Sequence, residues 1–129
     1  MIRVLLIEED ISVGAAIRLT LGRDGGDVLH VRDAQAGMKA FETADFDLVI
    51  VDLFIPGMAG VELISELRIL ASKTPILAMS GFRFLDSMDP GLDSPGAAAK
   101  MGVTAVLPKP FTPRQLMAAV GASLHPPAC

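Results

Sequence analysis

The chain has 129 residues, 51% of them apolar, with a net charge of −4, a pI near 5.0 and a mean hydropathy of +0.51. That length suits one domain with a sizeable core. The eleven Lys and Arg are scattered and mark no nucleic-acid surface, and no apolar run approaches the roughly 20 residues of a membrane span.

The single cysteine, Cys129, excludes a disulfide framework and a cysteine zinc pattern. The N-terminus carries no small-residue cleavage site, which reads against a signal peptide. A cytoplasmic protein with its apolar excess in buried strands is expected.

The first strand is read at 2 to 8, where Val4, Leu5, Leu6 and Ile7 lead into Glu8, Glu9 and Asp10. A helix follows from near Ile11, capped by Asp10, with Val13, Ala16, Ile17, Thr20 and Leu21 on one face. The second strand covers 28 to 32, and the next helical face is Gly37, Ala40, Phe41 and Ala44. The third strand, 47 to 52, ends at Asp52 ahead of the turn Pro56-Gly57. Leu63, Ile64, Leu67, Leu70 and Ala71 then share a helical face, and a strand at 75 to 80 ends at Ser80 before Gly81.

Residues 81 to 95 show no sustained period and hold two prolines, so a loop or lid is predicted. Ser94-Pro95 opens a short helix through Met101, closed by Gly102. The last strand, 103 to 107, is followed by Lys109 between Pro108 and Pro110. Thr112 as cap, Pro113 at the first helical position and Gln115 three residues after the cap start the final helix. Its core face is Leu116, Ala119, Val120 and Leu124, and 125 to 129 read as a frayed tail behind a domain of residues 1 to 124.

Five strands alternating with five helices through right-handed crossovers predict an α/β, doubly wound parallel sheet of flavodoxin-like order 2-1-3-4-5. Continuous apolarity marks the first, third and fourth strands as buried on both faces. In that order the ends of strands one and three are neighbours, so Glu8 and Glu9 meet Asp52 at the carboxyl edge where ligands collect. Clustered carboxylates repel unless a cation sits among them. Mg²⁺ suits such a set, since it takes oxygen ligands and commonly one or two carboxylates plus a phosphate. Asp52 then has the chemistry of a nucleophile toward a phosphoryl donor, Lys109 that of a charge-neutralising cation, and Ser80 that of a hydroxyl donor to a phosphoryl oxygen. The plain alternatives are a turn carboxylate at Asp52, a charged strand exit or helix cap at Glu8 and Glu9, a solvated lysine and a turn-forming serine. His30 and His125 lie apart from each other and from the acidic edge and are not read as metal ligands.

Four segments in this order, Val4 to Asp10, Asp47 to Gly60, Pro75 to Ser80 and Leu107 to Phe111, make the chain resemble, from end to end, a response-regulator receiver domain of two-component signalling. The resemblance implies Asp52 as phosphoacceptor, Glu8 and Glu9 as the acid pair, Ser80 as the switch hydroxyl and Lys109 as the lysine, with Lys109-Pro110 cis. It implies Mg²⁺ held by Glu9, Asp52 and the Phe54 backbone carbonyl, with Glu8 acting through water. The implied partners are a sensor histidine kinase or histidine phosphotransfer protein and an effector protein, with no direct contact to nucleic acid or membrane. The expected function is a stand-alone phosphoacceptor that catalyses at most its own phosphorylation and dephosphorylation.

The departures from the family pattern are specific. Glu9 stands where the family usually has Asp, and Val106 where a switch aromatic is usual. Phe54, two residues after the acceptor, has a bulky apolar side chain that would screen a phosphoryl group from water. The longer span from Ser80 to Lys109 contains Phe82, Phe84, Leu85 and Met88, and this loop is expected to replace the aromatic as the moving part. The rival reading is a degenerate receiver that binds partners without phosphate. A haloacid-dehalogenase-type phosphatase needs an acid where Phe54 stands, and no glycine-rich nucleotide motif follows the first strand.

Overall fold

A computed structural model describes residues 2–55, 58, 60–71, 73–81 and 102–125. The elements run β1 (Arg3–Ile7), α1 (Ile11–Arg23), β2 (Asp27–Val31), α2 (Ala34–Thr43), β3 (Leu48–Asp52), α3 (Gly60–Leu70), β4 (Ile76–Ser80), β5 (Ala105–Pro108) and α4 (Pro113–Leu124). The five strands form one parallel sheet in the order β2-β1-β3-β4-β5, as predicted. Strand bounds differ from the expected ones by a residue or two, most at β5. The predicted helix through Met101 and the apolar loop residues Phe82, Phe84, Leu85 and Met88 lie outside the described residues, as does the Pro56-Gly57 turn.

Strand alternation sorts the core onto two faces. Leu5, Ile7, Val49, Val51, Ile76 and Ala78 point to the side covered by α2 and α3, where Leu63, Ile64 and Leu67 of α3 are fully buried. Val4, Leu6, Leu48, Ile50, Leu77, Met79 and Leu107 point to the other side, against Ile17 and Leu21 of α1 and Leu116 and Val120 of α4. β3 and β4 are buried along their whole length and β1 from Val4 onward. Each fully buried aliphatic side chain contributes on the order of 1.5–3 kcal/mol, which makes the central strands the rigid base of the fold. Of the predicted helical faces, Ala16 and Leu70 prove exposed, because each sits at the margin of its stripe.

Local capping follows the sequence closely. The Asp10 carboxylate accepts the backbone N–H groups of Ser12 and Val13 at 2.8 and 3.1 Å. Thr112 Oγ1 accepts from the Gln115 N–H at 3.1 Å, while the Gln115 side chain accepts from the Thr112 N–H at 2.8 Å, completing the capping box. Gly102 has φ +88°, the left-handed conformation suited to the residue that ends a helix. Its carbonyl accepts a hydrogen bond from Arg68 Nε of α3 at 2.6 Å, tying the entry of β5 to the helix beneath it.

Candidate functional site

Parallel strands bring their carboxyl ends to one edge, and there the chain places Glu8 just past β1, Asp52 at the end of β3, Ser80 at the end of β4 and Lys109 just past β5. Asp52 pairs in register with Met79, whose side chain belongs to the α1 and α4 face. The two-residue alternation of β1 and β5 carries Glu8 and Lys109 to that same face. The result is a contact that no local pattern specifies. Lys109 Nζ donates to Asp52 Oδ2 at 2.7 Å and also to Glu8 Oε1.

Glu8 is fully buried and Asp52 nearly so. Burial, followed by the neighbouring Asp52 carboxylate, pushes the Glu8 carboxyl up to about 8 despite the opposing pull of Lys109. Burial alone lowers the Lys109 ammonium, but its hydrogen bonds to Asp52 and Glu8 outweigh that and raise it above its ordinary value. Lys109 is also fixed through its backbone, donating its N–H to the Ser80 carbonyl at 2.8 Å, and the Lys109-Pro110 peptide is cis, as the resemblance implies. On Asp52 the second carboxylate oxygen, Oδ1, accepts the Phe54 N–H at 2.9 Å. Phe54 itself is half exposed. The segment after Asp52 is anchored in turn: the Leu53 N–H reaches the Met79 carbonyl at 2.9 Å and the Gly60 N–H reaches the Leu53 carbonyl at 3.2 Å.

Two buried polar atoms, Glu8 Oε2 and Ser80 Oγ, have no hydrogen-bond partner among the described residues. A buried polar group left without a partner is costly, so such atoms mark places where another group can enter. The donors at this edge are carboxylate, hydroxyl and carbonyl oxygens, the chemistry that a hard divalent cation and a phosphoryl group select. In that sense the residues present fit Mg²⁺. The fit is incomplete in one respect: the Glu9 side chain is exposed, and no three His, Cys, Asp or Glu side chains gather into a metal-holding group among the described residues. Lys109 bridges the other two carboxylates, Glu8 and Asp52. An open cleft of about 530 Å³, lined by Ser12, Val13, Ala16, Lys109, Pro110 and Phe111, gives access to the lysine from the α1 side.

The expectation that His30 lies away from the acidic edge is corrected by the structure. β2 pairs with β1 in the register Leu6 to His30, which sets the His30 ring beside the end of β1, where Nε2 lies 2.8 Å from the Glu8 carbonyl oxygen. Its Nε2 is engaged there by backbone, and among the described residues it joins no group of three metal-ligating side chains. His125 sits at the C-terminal end of α4 and is exposed. Two more residues absent from the sequence reading complete this edge. Arg32 Nε donates to the Glu9 carbonyl at 2.8 Å, and Gly14, buried within α1, leaves the space that the His30 ring fills. The one sequence signal for this group was a glycine inside a helical pattern, a position where alanine would be more stable by about 1 kcal/mol.

Comparison with known proteins agrees with this geometry. The model of the response regulator receiver domain family matches residues 4–121. The cell cycle response regulator CtrA of Brucella ovis is 32% identical over 120 residues, covering 93% of this chain and 49% of that protein, and the CtrA protein of Brucella abortus matches to the same extent. The chain thus spans about half the length of the curated relatives it matches. Among solved structures, the chemotaxis response regulator CheY4 of Vibrio cholerae superposes with a TM-score of 0.82 at 26% identity, covering 96% of this chain and 99% of that one. A CheY-like receiver domain protein from Methanospirillum hungatei also reaches 0.82, over 96% of this chain and 94% of that one, its 22% identity speaking for the fold alone. With the sheet order, the ion-paired carboxyl edge and a family match over most of its length, the chain belongs to the response-regulator receiver family of two-component signalling.

Proposed function

We propose that the protein accepts a phosphoryl group on Asp52 from a phosphohistidine of a sensor kinase or phosphotransfer protein, and passes the signal on through contact with an effector protein. The observation that carries this reading is the Lys109 ammonium bridging Asp52 and Glu8 at the edge where the Ser80 hydroxyl has no partner among the described residues. In the transfer, an Asp52 carboxylate oxygen attacks phosphorus, the P–N bond to the donor imidazole breaks, and its electron pair stays on the leaving nitrogen. Lys109 lies where negative charge builds on the phosphoryl oxygens, and the Ser80 hydroxyl has a free proton to donate to one of them. Asp52 Oδ1 is oriented by the Phe54 N–H throughout.

Mg²⁺, when bound, supplies further neutralisation of the phosphoryl charge. Asp52, Glu9 and the Phe54 backbone carbonyl would hold it directly, with Glu8 acting through water. Among the described residues no helix is long and apolar enough to cross a membrane, and we place the protein in the cytoplasm on the strength of its family.

The test is the intact mass of the protein after incubation with a small phosphodonor, with Mg²⁺ or with a chelator, for the native chain and for Asp52→Asn. A Mg²⁺-dependent phosphoryl adduct that disappears in the variant supports the reading. The exposure of Glu9 favours a second reading, a phosphate-independent interaction module. A folded protein that forms no adduct and binds no beryllium fluoride would overturn the phosphoacceptor reading and favour that alternative.

A further inference from the structure

The β1-to-α1 turn is held from outside by side chains at the end of β2. His30 Nε2 meets the Glu8 carbonyl oxygen at 2.8 Å, and Arg32 Nε donates to the Glu9 carbonyl oxygen at 2.8 Å. The peptide units before and after the Glu9 α-carbon are therefore both tied down, although the Glu9 carboxylate itself is exposed. A carbonyl oxygen only accepts, so His30 Nε2 carries the proton in this bond.

The ring has no room to choose another place. A Cβ on Gly14 would fall within the His30 imidazole, so ring and glycine fit each other as solid to hollow. Glycine inside a helix costs roughly 0.5–1 kcal/mol relative to alanine, and Gly14 is a buried position in the first half of α1, where alanine would otherwise be favoured. The packing that this glycine permits is the seat of the ring.

Glu9 has one more rotatable bond than the Asp usual at its place. A longer arm reaches a fixed point reproducibly only if its base is fixed, since each free torsion adds freedom that binding must remove.

We propose that His30, seated by Gly14, is a positioning residue for the acidic edge: it holds the Glu8–Glu9 peptide so that the Glu9 carboxylate is presented to Mg²⁺. This rests on the receiver reading above. Partners that orient a metal ligand from outside the ligand set typically contribute about 10–100-fold in metal affinity, and His30 acts on the backbone of one.

The experiment is an Mg²⁺ titration of unphosphorylated protein, followed by the amide resonances of Glu9 and Asp52, for the native chain, His30→Phe and His30→Gln. Each melting temperature is recorded alongside. Phenylalanine fills the seat without a donor, whereas glutamine retains a side-chain N–H. The expected result is a dissociation constant raised about tenfold in His30→Phe, with partial recovery in His30→Gln at a similar melting temperature. In the native chain, the ¹⁵N spectrum of the His30 ring is expected to show a protonated Nε2.

A ring protonated only at Nδ1 would overturn the inference without any variant being needed. So would affinities in the two variants that fall only in step with their melting temperatures, since the ring would then be packing alone. Native protein that responds to Mg²⁺, matched by an equal response in His30→Phe, overturns the positioning role and leaves the receiver reading intact. No Mg²⁺ response in the native chain overturns the metal site and this inference together.

Discussion

Lys109 Nζ lies 2.7 Å from Asp52 Oδ2, 57 positions away in the chain, and the same ammonium reaches the fully buried Glu8. One cation thus holds two carboxylates that would otherwise repel in a poorly hydrated place.

Removing that cation is expected to be costly. Lys109→Ala leaves Glu8 and Asp52 facing each other without compensation, and a buried charged or polar group deprived of its partner costs about 1–3 kcal/mol or more. Urea unfolding at about pH 9 in a chelator should show a loss of that order, shrinking toward about pH 6 as Glu8, its carboxyl raised to about 8, takes up its proton. A loss equally large at both pH values would mean that the lysine stem, rather than its charge, supplies the stability.

Glu8 makes the fold sensitive to pH. Its carboxyl rises from an ordinary 4.5 to about 8 in the folded chain, so the folded state binds that proton more tightly than the unfolded one. Its contribution to stability is complete below pH 4.5 and fades as pH climbs through about 8. Lys109, raised above its ordinary value, loses its contribution only at still higher pH. Glu8→Gln should therefore flatten the melting-temperature profile between pH 5 and 8 in the absence of Mg²⁺. An unchanged slope in this variant would show that other groups set the profile.

Gly60 opens α3 directly against the backbone that follows the acceptor, and a Cβ there would overlap the Leu53 main chain. Because backbone yields less readily than a side-chain tip, Gly60→Ala should cost about 1–3 kcal/mol, the usual range for overpacking. It should also slow phosphoryl uptake by shifting the Leu53 anchor next to Asp52. Alanine tolerated with native stability and uptake would show that the β3-to-α3 connection adjusts freely.

Phe54 donates its N–H to Asp52 and is itself half exposed, two residues past the acceptor. An apolar ring there shields a phosphoryl group from attacking water, whereas a polar amide can orient water toward it. Phe54→Asn should shorten the lifetime of the phosphorylated protein, about tenfold if one well-placed water contact removes roughly 1.4 kcal/mol of barrier. Loss of the adduct followed over time by intact mass provides the comparison, and equal lifetimes would sink the shielding argument.

Much of the fold was legible because its signals are local. The unbroken apolar stretches of β1, β3 and β4 announce strands covered on both faces, and each is buried as expected. Asp10 and the pair Thr112 and Gln115 state where helices begin, since a cap needs only its own next three residues. Asp52, Ser80 and Lys109 were readable as a group from the strand ends they occupy, once a parallel order was assumed.

The site beyond that grouping was not readable, and His30 shows why. Whether it lies near Glu8 depends on the register of β2 against β1 and on a missing Cβ in α1 sixteen residues earlier, neither of which leaves a pattern in the neighbouring sequence. Which carboxylate takes the lysine is a similar case: Glu8 and Glu9 are adjacent and chemically alike, yet one is fully buried against Lys109 and the other exposed. By itself the sequence determined the strands, the caps and the kind of chemistry collected at the sheet edge, because periodicity and capping act over a few residues. Only the tertiary structure decided which oxygens share the lysine, which are left without a partner and which ring steadies the acidic turn, because those outcomes depend on distances set by the packing of segments far apart in the chain.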